Sequence, residues 1–165
     1  MMALTFELKG DAYDKLNKII AACDNTKPAM NTIGRVLANR IRLGFKKNTS
    51  PYGDKWKPIT YRQGQPLRDT GRLLASIGYR AQKDNVSVGT DGQIIYAKIH
   101  QFGGVIRPRT AKTLRFFIGN RLVFANKAVI PARPYLPIVN NDVLLPQNWL
   151  NATVKALFDH IEKPL

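Results

Sequence analysis

The stretch Thr113–Asn126, TLRFFIGNRLVFAN, predicts a β-hairpin and with it the antiparallel part of the fold. Two runs rich in Phe, Leu, Val and Ile flank Gly119-Asn120, and a two-residue loop that begins with glycine is typical of a type II′ turn. Alternation of apolar and polar residues predicts further strands at Ala3–Lys9, Tyr79–Gln82 and Asn85–Thr90.

Three longer segments carry apolar residues at helical spacing and predict the main helices. The first spans Asp11–Asp24 with Asp11 as its cap, and the second has Pro28 in its first turn. The apolar stripe of the second helix is Ile33, Val36, Leu37, Ile41 and Phe45. The third helix begins near Pro146, and its apolar side is Leu150, Val154, Leu157, Phe158 and Ile161. We therefore predict an α+β fold, with an antiparallel β-sheet packed against three main α-helices, in one domain over residues 1–165.

The segment at residues 48–67 breaks every period and predicts a long extended loop, which we interpret as a flexible arm. Three aromatic residues, Tyr52, Trp56 and Tyr61, alternate there with lysine and arginine. Such residues suit a contact with another protein, and they also suit stacking on bases of single-stranded nucleic acid. The alternative is that Trp56 and Tyr61 fold back onto their own core. A short helix through Leu73, Leu74 and Ile77 follows, capped by Asp69 or Thr70.

The chain carries a formal charge of +15, because 26 lysine and arginine residues outnumber 11 acidic ones. The excess is clustered, since no Asp or Glu lies between Asp91 and Asp142. The cations of that interval are Lys98, Arg107, Arg109, Lys112, Arg115, Arg121, Lys127 and Arg133. A field of this strength favours an acidic partner, either nucleic acid or an acidic protein surface. The alternative is a basic surface that is only solvated.

Residues suited to catalysis, metal binding or cofactor binding are scarce. Cys23 is the single cysteine, so an intrachain disulfide is excluded and no zinc-binding pattern is present. His100 has no nucleophile or metal partner at a recognised spacing, and no glycine-rich phosphate-binding motif occurs. We therefore expect no enzyme activity, no catalytic residue, no cofactor and no metal. No signal peptide or membrane-spanning run is recognised, which predicts a soluble protein made in a cytoplasm.

Two motifs lie within the basic region. The segment Tyr96–Gly104, YAKIHQFGG, predicts a short helix that ends at a glycine pair, with Phe102 docked on a sheet. The segment Pro131–Leu136, PARPYL, is held extended by two prolines, so Arg133 should project at a fixed angle that suits an ion pair with a neighbour. The alternative for this segment is a rigid surface loop without a partner.

At these residues the chain resembles the phage virion morphogenesis proteins of Mu-like phages and prophages, which are related to tail completion proteins of contractile-tailed phages. The matching motifs, in order, are SPYGDKWKPI (50–59), QPLRDTGRLLASI (65–77), VGT (88–90), YAKIHQFGG (96–104) and PARPYL (131–136). The positions that correspond to family signature residues are Arg68, Asp69, Gly71, His100, Gln101, Gly103, Gly104, Pro131, Arg133 and Pro134.

The resemblance implies a structural protein of tail completion and head–tail joining, arranged as a ring at the head-proximal end of the tail, with a hexamer favoured. The implied partners are copies of the chain, the tail tube or tail terminator, and neck or connector proteins. A ring lumen can also meet DNA transiently, and the lack of an apolar run of membrane-spanning length predicts no membrane partner. The implied location is the virion tail or neck, after assembly in the host cytoplasm.

The residues expected at the assembly interface are Trp56, Arg68, Arg72, His100, Phe102, Arg107, Arg109, Arg133 and Tyr135. On this hypothesis, alanine at Trp56 or at Arg133 reduces ring formation while the protomer still folds. The alternative function is a basic DNA-binding module without catalysis. A phage nuclease or another hydrolase is the competing enzyme class.

Overall fold

The computed structural model describes residues 10–163, and the strand predicted at Ala3–Lys9 lies outside them. The helices are α1 (Asp11–Asp24), α2 (Lys27–Lys47), α3 (Arg72–Ala75), α4 (Ala97–Phe102) and α5 (Gln147–Glu162). The strands are β1 (Ile77–Ala81), β2 (Val86–Thr90), β3 (Gly104–Ile106), β4 (Leu114–Ile118), β5 (Arg121–Ala125), β6 (Ala128–Ile130), β7 (Ile138–Val139) and β8 (Asp142–Val143).

Each of these strands pairs antiparallel with one other strand of the described residues. The pairs are β1 with β2, β3 with β6, β4 with β5, and β7 with β8. The α+β class, with antiparallel strands and three longer helices, is confirmed. The pairing differs in one respect, because within residues 10–163 the strands form four two-stranded ribbons where one sheet was expected. The strands are two to five residues long, and turns, loops and helices separate the ribbons along the chain.

The hairpin predicted from Thr113–Asn126 is confirmed as β4 and β5, with Ile118 opposite Arg121. Gly119 has a φ of 59°, which the first position of a type II′ turn requires. The strands predicted at Tyr79–Gln82 and Asn85–Thr90 are confirmed as β1 and β2, which pair with each other. The β7–β8 hairpin was not predicted, and its turn places Asn140 and Asn141 at φ values of 51° and 69°.

Helix α2 is the centre of the core, because it packs against β1, β2 and α5. Four residues of its predicted stripe, Ile33, Leu37, Ile41 and Phe45, are buried. Residues from other segments complete the same cluster, chiefly Trp56, Leu73, Ile77, Tyr135 and Trp149. The helical spacing of α2 therefore predicted the inner face correctly, while its partners come from distant parts of the chain.

Helix α5 begins where expected but buries a different side. Its buried residues are Trp149, Thr153 and Ala156. On the predicted apolar side, Leu150, Val154 and Phe158 are 41%, 43% and 56% exposed. The rotation follows from the size of the Trp149 indole, which gains more from burial than any single residue of the predicted side.

Two predicted helix caps are wrong. Gly10 occupies the N-cap of α1, and Asp11 lies in the first turn, where a negative charge favours the helix dipole. Helix α3 is capped by Gly71 in the left-handed conformation, not by Asp69 or Thr70. In both helices the N-cap is a glycine with a positive φ, and no side chain caps the helix by a hydrogen bond. Glycine adopts such a φ more readily than other residues, so the chain can turn into the helix at that position.

Candidate assembly interface

The loop at residues 48–71 is tied to the body of the protein at Trp56. The indole is 6% exposed, and its Nε1 donates a hydrogen bond to the carbonyl oxygen of Pro134 at 2.8 Å. Its ring meets that of Phe45 edge to face, with 5.4 Å between centroids. The alternative kept open from the sequence, that Trp56 folds back onto its own core, is therefore the arrangement observed. Tyr61 is 52% exposed and does not follow it inside.

Arg133 lies beneath the same loop and is 4% exposed. Its Nε and Nη2 donate hydrogen bonds to the carbonyl oxygens of Lys57 and Pro58, at 2.9 and 3.3 Å. Burial lowers the pKa of Arg133, Tyr61 raises it again, and the charge of Arg62 lowers it. The guanidinium keeps its charge, since the pKa of arginine starts far above neutral pH. Arg133 thus holds the loop in place from inside, where the sequence predicted a side chain projecting towards a neighbour.

Gln101 joins helix α4 to the extended segment at residues 131–136. Its side chain is 3% exposed, and its Oε1 accepts hydrogen bonds from the backbone N–H groups of Tyr135 and Leu136, at 2.9 and 3.0 Å. Its Nε2 donates to the carbonyl oxygen of Leu136 at 3.0 Å. Sequence reasoning missed this role, because a single glutamine carries no periodic signal. Its only signal was its place in the motif shared with the resembled family.

Tyr135 completes the interior cluster. Its ring lies 5.5 Å from that of Phe45, and its hydroxyl donates a hydrogen bond to the carbonyl oxygen of Ala97 at 3.3 Å. Burial raises the pKa of Tyr135 to about 12. The hydroxyl therefore stays protonated at neutral pH and acts as a donor that fixes the start of α4.

Gly103 ends helix α4 and brings the chain close to the segment at residues 131–136. Its φ of 72° and ψ of 179° belong to a region that glycine alone adopts readily. A Cβ at this position would lie 2.8 Å from the backbone nitrogen of Ala132 and 3.1 Å from the carbonyl oxygen of Ile130. The predicted helix end at the glycine pair is confirmed, and the first glycine has both a conformational and a steric reason.

We expect Gly103→Ala to lower the free energy of unfolding by about 2–4 kcal/mol, because backbone strain and overpacking each cost roughly 1–3 kcal/mol. Urea denaturation measures this loss. Gly104→Ala is the matched control, since its Cβ would meet only the Ile99 side chain, at 3.3 Å, and its φ is not positive. Equal losses in the two variants would show that neither the φ of Gly103 nor its contact with Ala132 matters.

An open cleft of about 580 Å³ lies beside Arg133 and collects residues from several separate segments. The ionisable side chains of its lining are those of Arg62, Asp69, Arg72, His100 and Arg133, together with Tyr61 and Tyr96. Its apolar walls include Ile59, Leu67, Leu73 and Phe117. Asp69 is the one carboxylate of this lining, and its Oδ1 lies 3.6 Å from Nε of Arg62. Cations beside apolar walls can recognise an acidic protein segment that also carries apolar side chains.

His100 lines this cleft in the neutral state. Burial lowers its pKa, and the charge of Arg133 lowers it further. Its Nδ1 is buried, with no hydrogen-bond partner among residues 10–163. Its ring stands edge-on to that of Tyr96, with 5.7 Å between centroids. The imidazole therefore contributes shape to the cleft, not a positive charge at pH 7.

The residues predicted for the assembly interface fall into three groups. Trp56, Arg133 and Tyr135 lie in the interior, so the expectation that their side chains meet a partner is corrected to a role in holding the loop and the segment at 131–136. Arg72 and His100 line the cleft. The exposed residues outside the cleft lining are Arg68, Phe102, Arg107 and Arg109, and their contact with a partner stays a prediction.

Metal-binding clusters and membrane-spanning helices are both absent from the described residues 10–163. Within residues 10–163, no three or more His, Cys, Asp or Glu side chains come together in a way that could hold a metal ion. Of the helices in the same range, none combines the length and the apolar character needed to cross a membrane.

A model of the phage virion morphogenesis family matches residues 11–155 of the chain, from α1 into α5. The chain belongs to the phage virion morphogenesis family. It is similar to Mu-like prophage FluMu G protein 2 of Haemophilus influenzae, with 32% identity over 127 residues that cover 77% of each protein. No solved structure matches the chain.

Membership confirms the resemblance read from the five motifs and makes this a phage structural or assembly protein. The matched range contains the loop at residues 48–71, the interior cluster around Gln101 and Arg133, and the whole cleft lining. A phage virion morphogenesis protein is associated with the phage particle or its assembly, and the family agrees with the expected non-enzymatic role.

Proposed function

We propose that this virion morphogenesis protein acts in tail completion and head–tail joining, as a ring at the head-proximal end of the tail. A hexamer is the favoured ring. Its partners in this role are the tail tube or tail terminator and the neck or connector proteins. Family membership supports the assembly role. The position at the end of the tail, the ring and its partners are what we propose beyond it.

One observation carries the proposal: a segment of the chain that contains no carboxylate exposes cations and apolar side chains together. No acidic residue occurs in residues 92–141. Arg107 and Arg109 are exposed near β3, and Phe117 and Phe124 on the β4–β5 hairpin are 66% and 61% exposed. Arginine and aromatic residues are the types that most often dominate binding energy at protein interfaces. This surface therefore suits a macromolecular partner with acidic groups.

We expect the double variant Arg107→Ala with Arg109→Ala to weaken assembly about two- to thirtyfold. Each exposed ion pair contributes roughly 0.2–1 kcal/mol, and about 1.4 kcal/mol corresponds to a tenfold change. Sedimentation velocity and native mass spectrometry, with and without the tail tube protein, measure ring formation and joining. The effect should shrink at high salt, because salt screens exposed charges.

Lys46→Ala with Arg80→Ala is the matched control, because it removes the same charge from exposed positions on α2 and β1. Equal weakening by both double variants would show that net charge matters and the location of the arginines does not. A parent protein that stays monomeric, and that binds neither tail nor neck proteins, would overturn the proposed function.

A basic DNA-binding module is the second candidate, because Arg115 lies opposite the exposed Phe124 on the β4–β5 hairpin. Cations interleaved with aromatic residues suit phosphate contacts and base stacking. Titration with duplex and single-stranded DNA at several salt concentrations separates the two functions. Submicromolar binding with a steep fall in affinity with salt, and no affinity for tail or neck proteins, would favour the DNA-binding module.

A further inference from the structure

Helices α1 and α5 leave apolar stripes exposed on neighbouring elements. The two helices contact each other, and Nε2 of His160 lies 3.2 and 3.1 Å from the carbonyl oxygens of Ala22 and Asn25. The exposed residues on α1 are Tyr13, Leu16 and Ile20, and those on α5 are Leu150, Val154 and Phe158. The spacing along each helix places the three residues on one side. We call this surface the helix pair.

The helix pair is acidic in a strongly basic chain. Its carboxylates are Asp11, Asp14, Asp24, Asp159 and Glu162, and its lysines are Lys15, Lys18 and Lys155. Five negative charges against three positive ones give a net charge of −2, whereas the whole chain carries +15. An apolar surface with an acidic border is complementary to an apolar surface with a basic border.

An apolar surface with basic neighbours exists on the same chain, at the two ribbons β3–β6 and β4–β5. We call these two ribbons together the basic ribbon. Its exposed apolar residues are Val105, Ile106, Phe117, Phe124 and Val129. Residues 104–130 contain six cations and no carboxylate. Strands β4 and β5 pack mainly on each other, and a two-stranded ribbon is only marginally stable by itself. A partner that covers this basic ribbon would therefore stabilise it.

We propose that the basic ribbon of one copy docks on the helix pair of the next copy. This inference rests on the proposed ring, since a closed ring requires two different patches of each protomer to meet. The two surfaces are opposite in charge, both expose apolar side chains, and both belong to every copy. A second copy of the chain fits these features better than DNA does, because DNA would not be attracted to the acidic helix pair.

Two variants test the contact from opposite sides. The ribbon variant carries Phe117→Thr and Phe124→Thr, and the helix variant carries Leu150→Gln and Phe158→Gln. All four positions are exposed, and the new residues suit a strand or a helix, so both protomers should fold. We expect each variant alone to lose affinity between copies by about thirtyfold or more, the change typical of a removed hot spot.

Mixing the two variants gives the decisive result. Each mixed pair has one intact ribbon facing one intact helix pair, so native mass spectrometry should show 1:1 heterodimers and no larger species. If either variant alone forms rings as the parent does, the inferred contact is wrong, although the protein still forms a ring. Absence of heterodimers from two monomeric variants would show that these patches do not meet.

Two further outcomes separate other occupants of these surfaces. A fall of more than a few degrees in the melting temperature of the helix variant would show that its own chain covers the helix pair, which overturns the inference. Loss of DNA binding by the ribbon variant, with assembly unchanged, would assign the ribbon to DNA and also overturn it. A parent that forms no ring, alone or with the tail tube protein, removes the proposed function itself.

Discussion

Trp56→Ala should lower the free energy of unfolding by about 3–5 kcal/mol, the range found when a large aromatic side chain is deleted from a core. The indole is 6% exposed, packs on Phe45 at 5.4 Å between centroids, and donates a hydrogen bond to Pro134. Its removal leaves a cavity and an unpaired carbonyl oxygen. Urea denaturation followed by circular dichroism measures the loss.

Two controls define the cause of this loss. Trp56→Phe keeps a ring but loses the donor to Pro134, so we expect it to lose about 1–3 kcal/mol. Tyr61→Ala removes an aromatic residue from the same loop at a position that is 52% exposed, and we expect a change within about 0.5 kcal/mol. A stable Trp56→Ala protomer that only fails to assemble would restore the interface role predicted from the sequence and contradict the core role.

The elements that sequence reasoning predicted correctly are those with local signals. The stripe of α2 repeats over several turns, and Gly119-Asn120 between two apolar runs specifies a hairpin within fourteen residues, 113–126. Such patterns depend on neighbours along the chain, so they survive in any tertiary context. The helix end at Gly103 is also a local signal, because glycine is the residue that most readily adopts the positive φ found there.

The candidate site was harder to predict, because its contacts join residues far apart in the chain. Trp56 and Pro134 are separated by 78 positions, and Arg133 and Lys57 by 76. An aromatic residue between lysines has the same local pattern whether it anchors a partner or its own core. The loop sequence therefore kept both alternatives open for Trp56, and only the distant segment at 131–136 decides between them.

The rotation of α5 shows a related limit. Five apolar residues at helical spacing pointed to one side, but a single buried indole, Trp149, turned the helix to another. Periodicity counts positions equally, whereas packing weights them by the area each can bury. The side that periodicity selected is the one left half-exposed, and it is the side that we propose a second copy covers.

Gln101→Ala should also have a large effect, with an expected loss of about 3–5 kcal/mol in the free energy of unfolding. It leaves two backbone N–H groups and one carbonyl oxygen without their partners, and each unpaired buried group costs roughly 1–3 kcal/mol. Arg133→Ala should cost less, because removing a buried cation also removes its desolvation penalty. Urea denaturation of both variants checks the order, and a larger loss for Arg133→Ala would contradict it.

Gln101→Glu separates the hydrogen bonds from the volume of the side chain. At neutral pH the new carboxylate still accepts from Tyr135 and Leu136 but turns an anionic oxygen towards the carbonyl oxygen of Leu136. The two N–H donors lower the pKa of this carboxyl group, but we expect burial and that repulsion to outweigh them and to raise its folded-state pKa above the value of about 4.3 in the unfolded chain. The folded state then binds the proton more tightly, so stability relative to the parent increases as pH falls through the folded-state pKa. Urea denaturation of both proteins from pH 7.5 to pH 5 should show the gap narrowing, because the protonated acid regains a donor for Leu136. A gap that stays constant over this range would mean that the third hydrogen bond of Gln101 does not hold α4 to the segment at residues 131–136.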